Sequence, residues 1–178
     1  MKTLIESDIK LFPEPIASLP MNWTKEEFRG VICSVEDKLS DMPGSIEMTK
    51  SDDGCDFGRV KHTFVDGAYI RQITMLAGAI LTSKIHKIKH PYFVLSGECT
   101  VLSEDGLCRI MAPYWGVTEP GVKRLIYVHK ETVWVTVHVT DSTDLSIIED
   151  EVIARSFGEF DSFITPGSVG EINGGSVR

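Results

Sequence analysis

The sequence is poor in cysteine, and its cysteines form no pattern. Cys33, Cys55, Cys99 and Cys108 are scattered over 178 residues without a C-x-x-C pair, which excludes the common zinc-ribbon and dithiol spacings. In a reducing compartment such cysteines act as small hydrophobic side chains. Cys99 and Cys108 do flank the turn Glu104-Asp105-Gly106, so an approach across a hairpin stays open. No run of about 18 apolar residues occurs, so no membrane-spanning helix is expected. Glu6 and Asp8 interrupt the start of the chain where a secretion signal needs an unbroken apolar core, so a cytoplasmic location is expected. Positive charge is also scarce. Lys and Arg total 18 against 26 Asp and Glu, and the net charge of −8 argues against a general nucleic-acid binder. The chain has no G-x-S-x-G elbow, P-loop, dinucleotide fingerprint, H-E-x-x-H pair or internal repeat.

What remains is a soluble composition, 42% hydrophobic and 25% charged, in a length suited to one domain with extensions. Residues 1–59 read as an N-terminal arm, helix and loop. Pro13, Pro15 and Pro20 mark the arm, and Thr24-Lys25-Glu26-Glu27 matches a capping box. Phe28, Ile32, Val35 and Leu39 then recur at helical spacing, up to Pro43-Gly44. Residues 60–140 hold eight strand-like runs, at 60–65, 69–76, 80–85, 92–95, 99–102, 107–111, 122–128 and 133–140. Glycine-bearing breaks such as Asp66-Gly67, Ser96-Gly97 and Glu104-Asp105-Gly106 separate several of them. This rhythm predicts an all-β sandwich or barrel. Residues 141–178 read as a short helix, with Leu145, Ile148 and Val152 on one face, and a glycine-rich flexible tail. Phe157, Phe160 and Phe163 in that tail could dock. The acidic runs Glu26-Glu27 and Glu149-Asp150-Glu151 read as solvated helix faces.

The stretch Gly78–Gly97, GAILTSKIHKIKHPYFVLSG, carries the functional signal. In an extended chain Lys84, His86, Ile88, His90 and Tyr92 share one face, and in a helix His86 and His90 would still be neighbours. Gly78, five residues, Lys84-Ile85-His86, three residues, His90, six residues and Gly97 reproduce the frame of the first signature motif of the cupin superfamily. That motif has His-x-His and then Glu. Here Lys84 stands at the first histidine and His90 at the glutamate. In the stretch resembling the second motif Gly121 falls in place, but Glu119 stands for the proline and Arg124 for the metal-binding histidine. The chain is similar to small cupin-like proteins of the kind phages and bacteria encode. The resemblance implies an all-β, cupin-like double-stranded β-helix (a jelly-roll barrel) with flanking helices and a metal or ligand pocket in its mouth. It also implies pairing into a homodimer, to which residues 1–23 would contribute.

An arginine stays protonated and is no ordinary metal ligand, so a complete site needs a third donor from elsewhere. His138 is the candidate. Strand alternation groups Trp134, Thr136 and His138 against Val133, Val135 and Val137, without deciding which face lines the barrel. If the polar face turns inward, His86, His90 and His138 form a three-histidine site for a divalent transition metal, with zinc, iron, nickel, manganese and copper all open. Arg124, Arg71, Lys84 and Tyr92 are the candidates for holding a small anionic ligand, since a guanidinium grips carboxylate or phosphate in bidentate fashion. A salt bridge to Glu98, Glu119 or Glu131 is the other reading of the two arginines, and for Arg71 alone the simpler one. Two functions follow. The chain is either a metal-binding barrel acting on a small anionic metabolite, or a binding or assembly module that has lost the usual metal site.

Overall fold

Asp66-Gly67 separates two strand-like runs, and Gly67 sits at φ 75°, so the chain folds back as a hairpin. The structure is a computed structural model and describes residues 2–4, 23–43, 45–47 and 58–165. Eleven strands are present among these: β1 (Lys2–Leu4), β2 (Ile46–Glu47), β3 (Gly58–Val65), β4 (Ala68–Met75), β5 (Ile80–Thr82), β6 (Ile85–His86), β7 (His90–Ser103), β8 (Gly106–Met111), β9 (Tyr114–Thr118), β10 (Leu125–Val139) and β11 (Ile153–Ala154). The helices are α1 (Lys25–Asp41), α2 (Leu145–Val152) and α3 (Phe157–Ile164). Every strand pairing is antiparallel.

Two long strands organise the barrel. The first part of β10 lies between β5 and the second half of β7, and its later part lies between β4 and the first half of β7. One layer therefore reads β8-β7-β10-β5-β1-β2 and the other β9-β7-β10-β4-β3, with β7 and β10 shared. Between the layers Val60, Ile73, Met75, Leu81, Val94 and Trp134 belong to the main core. The outer face of the first layer is covered by α1, whose Phe28, Ile32 and Leu39 pack on Ile80, Leu102 and Leu125. The expected capping box is present: Glu27 N donates to Thr24 Oγ1 (3.2 Å) and Thr24 N to Glu27 Oε2 (2.8 Å). Glu36 fixes the helix to the barrel, accepting from Lys123 Nζ (2.8 Å to each oxygen) and Thr82 Oγ1 (2.7 Å).

Several boundaries differ from the sequence reading. Ser96-Gly97 and His129–Thr132 are not breaks. Each lies inside a continuous strand, where the β7–β10 register slips between Val128 and Trp134. Such a bulge bends both strands together and turns the corner from one layer to the other. Thr132, fully buried, donates from Oγ1 to the Lys130 carbonyl (2.7 Å) and accepts from Glu98 N (3.1 Å), satisfying backbone groups that the slip frees. Residues 114–118, inside an expected loop, form β9 against β7. The stretch expected to be a flexible tail contains α3, capped by Ser156, with Phe160 buried against Ile85 and Ala154. Phe163 stays exposed.

Cys33, Cys99 and Cys108 are free thiols. Cys108 faces Val101 and Cys99 faces Ile110, so the two cysteines are not cross-strand partners. Among the described residues no helix is long and apolar enough to cross a membrane. Most of the arm expected to mediate dimerisation lies outside the described residues, and the part that is described, β1, pairs with β5 and β2 of its own chain.

Gly97 is the most exacting position in this scaffold. At φ 90° its missing Cβ would meet the Glu131 carbonyl and Thr132. Gly97→Ala is expected to cost about 1–3 kcal/mol or more, from strain and collision combined, read as a lowered urea midpoint. Gly67→Ala, in open space at φ 75°, should cost only the strain.

Candidate metal centre

Strand register brings two imidazoles together. Tyr92 of β7 stands opposite Thr136 of β10, and the same register carried two residues further sets His90 against His138. Cross-strand neighbours on one face lie about 5 Å apart, and these two rings have centroids 4.4 Å apart. Trp134, Thr136 and His138 all line the internal cavity, so the polar face of β10 turns inward. The third histidine arrives by another route. His86 ends β6, which pairs with β11 through His86–Ile153 and Ile85–Ala154. Its ring lies 4.2 Å from that of His90 and 5.3 Å from that of His138. One nitrogen from each of the three lies within 4.8 Å of the others.

The strand-like runs 80–85 and 92–95 leave a corner between them, and the structure has one, so 84–92 is not a single extended face. Between β6 and β7 the chain bends at Lys87-Ile88-Lys89, and this turns Ile88 outward, 46% exposed. The bend also supplies a bond. His90 Nδ1 lies 3.1 Å from the Ile88 carbonyl, which can only accept, so Nδ1 carries the proton and Nε2 keeps its lone pair. A backbone carbonyl behind the ring is how protein sites commonly fix the tautomer of a metal-binding histidine.

The donor set fits a divalent transition ion. His86 Nδ1 is buried without a hydrogen-bond partner, an arrangement that is costly unless the nitrogen serves another purpose. All three imidazoles are held neutral, the state a metal requires. Burial, then the charges of His90, His138, Arg71 and Arg124, pushes His86 well below the ordinary histidine range. Burial, His90 and Arg71 take His138 down to about 3. His90 is lowered chiefly by burial, against the opposing bond to Ile88. Three nitrogens on one tetrahedral ion lie about 3.4 Å apart, so small ring rotations would complete the set.

The cavity measures about 120 Å³. Arg71, Arg124 and Lys84 line it. Tyr92 is not among the lining residues; it is buried with its ring stacked on Trp134 and lies 5.4 Å beneath the Arg124 guanidinium. Arg124 donates from Nη1 to Thr118 Oγ1 (3.1 Å). Burial pulls both guanidiniums down from their ordinary value. The acids considered as salt-bridge partners are engaged elsewhere in part: Glu98 by Arg109 and Lys130, Glu119 by Lys89.

One charged lining residue was not among the sequence candidates. Glu149, on α2, is ion-paired with Lys84 and lines the cavity. Its helix closes the cavity from the outside with Leu145, Ile148 and Val152, the apolar face expected from spacing. The acidic run around Glu149 resembles any solvated helix face, and its partner lies 65 positions away, so no local signal marks it. His62 and Tyr69, also lining the cavity, are joined by a 2.6 Å hydrogen bond between Nδ1 and Oη.

No protein-family model matches the chain, and no curated protein matches it. Solved structures do resemble it. They include ectoine synthase from P. lautus (12% identity, covering 60% of this chain and 79% of that one, TM-score 0.45) and protein NMB1881 from Neisseria meningitidis (13% identity, 49% and 90%, TM-score 0.42). A predicted oxalate decarboxylase from Thermotoga maritima (15% identity, 46% and 79%, TM-score 0.40) is another. Activity does not pass across such distances. By its shared long strands and two antiparallel layers, the chain folds as the jelly-roll barrel expected from its sequence.

Proposed function

We infer that this chain is a metal-binding barrel in which His86, His90 and His138 hold a divalent transition metal beside a small anionic ligand. The observation that carries the reading is the convergence of three neutral imidazoles from three separate elements, one with a buried, partnerless nitrogen. Three neutral nitrogens leave an open coordination position, and a bound ion there would supply Lewis acidity toward a ligand oxygen. The protein's own contribution is distinct from that. His90 is oriented by the Ile88 carbonyl, α2 and the barrel walls line the cavity with apolar side chains, and Arg124, Arg71 and Lys84 provide positive charge for an acid group, with Tyr92 supporting Arg124 from below.

A second reading, a binding module without turnover, is favoured by one feature. Glu149 is the single carboxylate lining the cavity among the described residues, and it is occupied by Lys84. Acid–base chemistry there would fall to other groups.

Metal analysis of untagged protein separates these. Stoichiometric zinc, iron, nickel, manganese or copper supports the metal reading, and a folded, metal-free protein that takes up none supports the module. In titrations with zinc, His86→Ala and His90→Ala are expected to abolish binding, and His138→Ala to weaken it by more than about 100-fold. Unchanged affinity in all three would place the metal elsewhere.

Acid sensitivity gives a further prediction. An exposed three-histidine site would lose metal near the ordinary histidine pKa of about 6.5. Here burial holds the imidazoles neutral at lower pH, so zinc should stay bound at pH 5.5. The metal-free protein follows the same logic. Below about 6.5 the unfolded chain takes up protons on these histidines and the folded chain does not. Stability should therefore fall with pH, by about 1.4 kcal/mol per unit for each histidine that stays neutral. A flat urea midpoint between pH 7 and 5 would contradict this.

A further inference from the structure

Of the three cations lining the cavity, Arg124 stands apart. Lys84 is ion-paired with Glu149, and the charge of Glu149 also acts on Arg71. Glu149 is not among the groups that act on Arg124. The half-buried Arg124 guanidinium meets the Thr118 hydroxyl (3.1 Å) and the Tyr92 ring, both neutral. Among the described residues the acid that acts on it is Asp105, on the β7–β8 turn and outside the cavity lining. A charge held among neutral groups away from water is costly unless an opposite charge joins it.

The walls next to Arg124 are apolar. Its backbone N donates to Ser83 Oγ (2.9 Å) and its carbonyl accepts from Ser83 N (2.8 Å), which fixes the start of β10 beside the end of β5. Two residues on, Ile126 shares the inward face and stands opposite Leu81 of β5. Further along β10, Trp134 stands opposite Ile73 of β4. All four side chains line the cavity, and Ile148 of α2 closes it from the outside. The space is small, about 120 Å³, against about 300–1,000 Å³ for sites that enclose drug-sized ligands.

The geometry points to a short apolar monocarboxylate as the ligand of this cavity, its acid group held by Arg124 and its hydrocarbon body packed on Ile126, Leu81, Trp134 and Ile73. This rests on the cavity being the ligand site, as inferred above, and does not require the metal to be present. The planar fork of one guanidinium suits one carboxylate. A second carboxylate would be buried against apolar walls, where the remaining cations already face Glu149. Inorganic phosphate has no body with which to cover those walls.

Calorimetric titration of acetate, butyrate, 1-butanol, succinate and inorganic phosphate tests this, in about 0.15 M salt, on metal-stripped protein and again on zinc-loaded protein. Each buried methylene is worth about fourfold in affinity, so butyrate is expected to bind about tenfold or more tightly than acetate. 1-Butanol, which keeps the body and lacks the charge, should bind at least about tenfold more weakly than butyrate, and so should succinate and phosphate. Arg124→Gln should lower butyrate affinity by about tenfold or more and abolish its advantage over 1-butanol. Any of the other four compounds binding as tightly as butyrate overturns the proposal, as does butyrate binding that is unchanged in Arg124→Gln or absent from both protein forms. The comparison among ligands on the wild-type protein needs no variant, so poor folding of Arg124→Gln does not blunt it. Zinc uptake without preference for butyrate overturns the apolar monoacid and leaves the metal centre standing. Butyrate preference without zinc uptake does the reverse.

Discussion

The register between β7 and β10 is the constraint on which the rest depends. Because side chains alternate along a strand, a slip of one residue would turn His138 outward and bring Val137 into the cavity. The pairing of Tyr92 with Thr136 holds the inward set Trp134, Thr136 and His138 in place. The bulge around Lys130–Val133 then absorbs the mismatch before β10 enters the other layer. Gly97 permits that bend through its backbone, and Thr132 stabilises it by taking up the freed polar groups. Core packing on both sides of the corner keeps the two halves from sliding independently.

The third imidazole depends on a different contact, far away in sequence. β6 is only two residues long, and its strand partner is β11, from the C-terminal segment. Lys87 adds to this junction: its backbone N donates to the Val152 carbonyl (2.8 Å), and its Nζ reaches the Asp150 carbonyl (2.9 Å) and Glu159 (2.8 Å). The same segment that closes the cavity therefore positions His86. Barrel and C-terminal helices form one working unit, although a pass along the sequence divides them.

Much of this was legible from local patterns. The capping box and apolar spacing defined α1, strand-like runs between turn residues located β3, β4 and, as two separate runs, β10, and the glycine frame of 78–97 pointed to the jelly roll. The two faces of β10 were assigned correctly as sets, but alternation alone could not say which set faces inward, since that depends on the partner strands. Ser96-Gly97 looked like a turn for a related reason. Glycine at positive φ serves turns and bulges alike, and only the opposing Glu131 and Thr132 distinguish them. The pair of Lys84 with Glu149 left no trace, because long-range ion pairs impose no spacing.

The departures from the motif gain a common sense in three dimensions. Lys84 and Arg124 stand where histidines are expected, and both line the cavity with positive charge. A cation next to a metal is repelled at short range, so each substitution needs its own compensation. For Lys84 the protein supplies it through Glu149. For Arg124 the described residues supply a hydroxyl and an aromatic face, which accommodate a guanidinium without neutralising it. His138 meanwhile provides an imidazole from a position outside either motif. On the proposed reading, the ligand set would be rebuilt from one strand further along the barrel, with Arg124 lining the cavity at the position where the motif has a histidine.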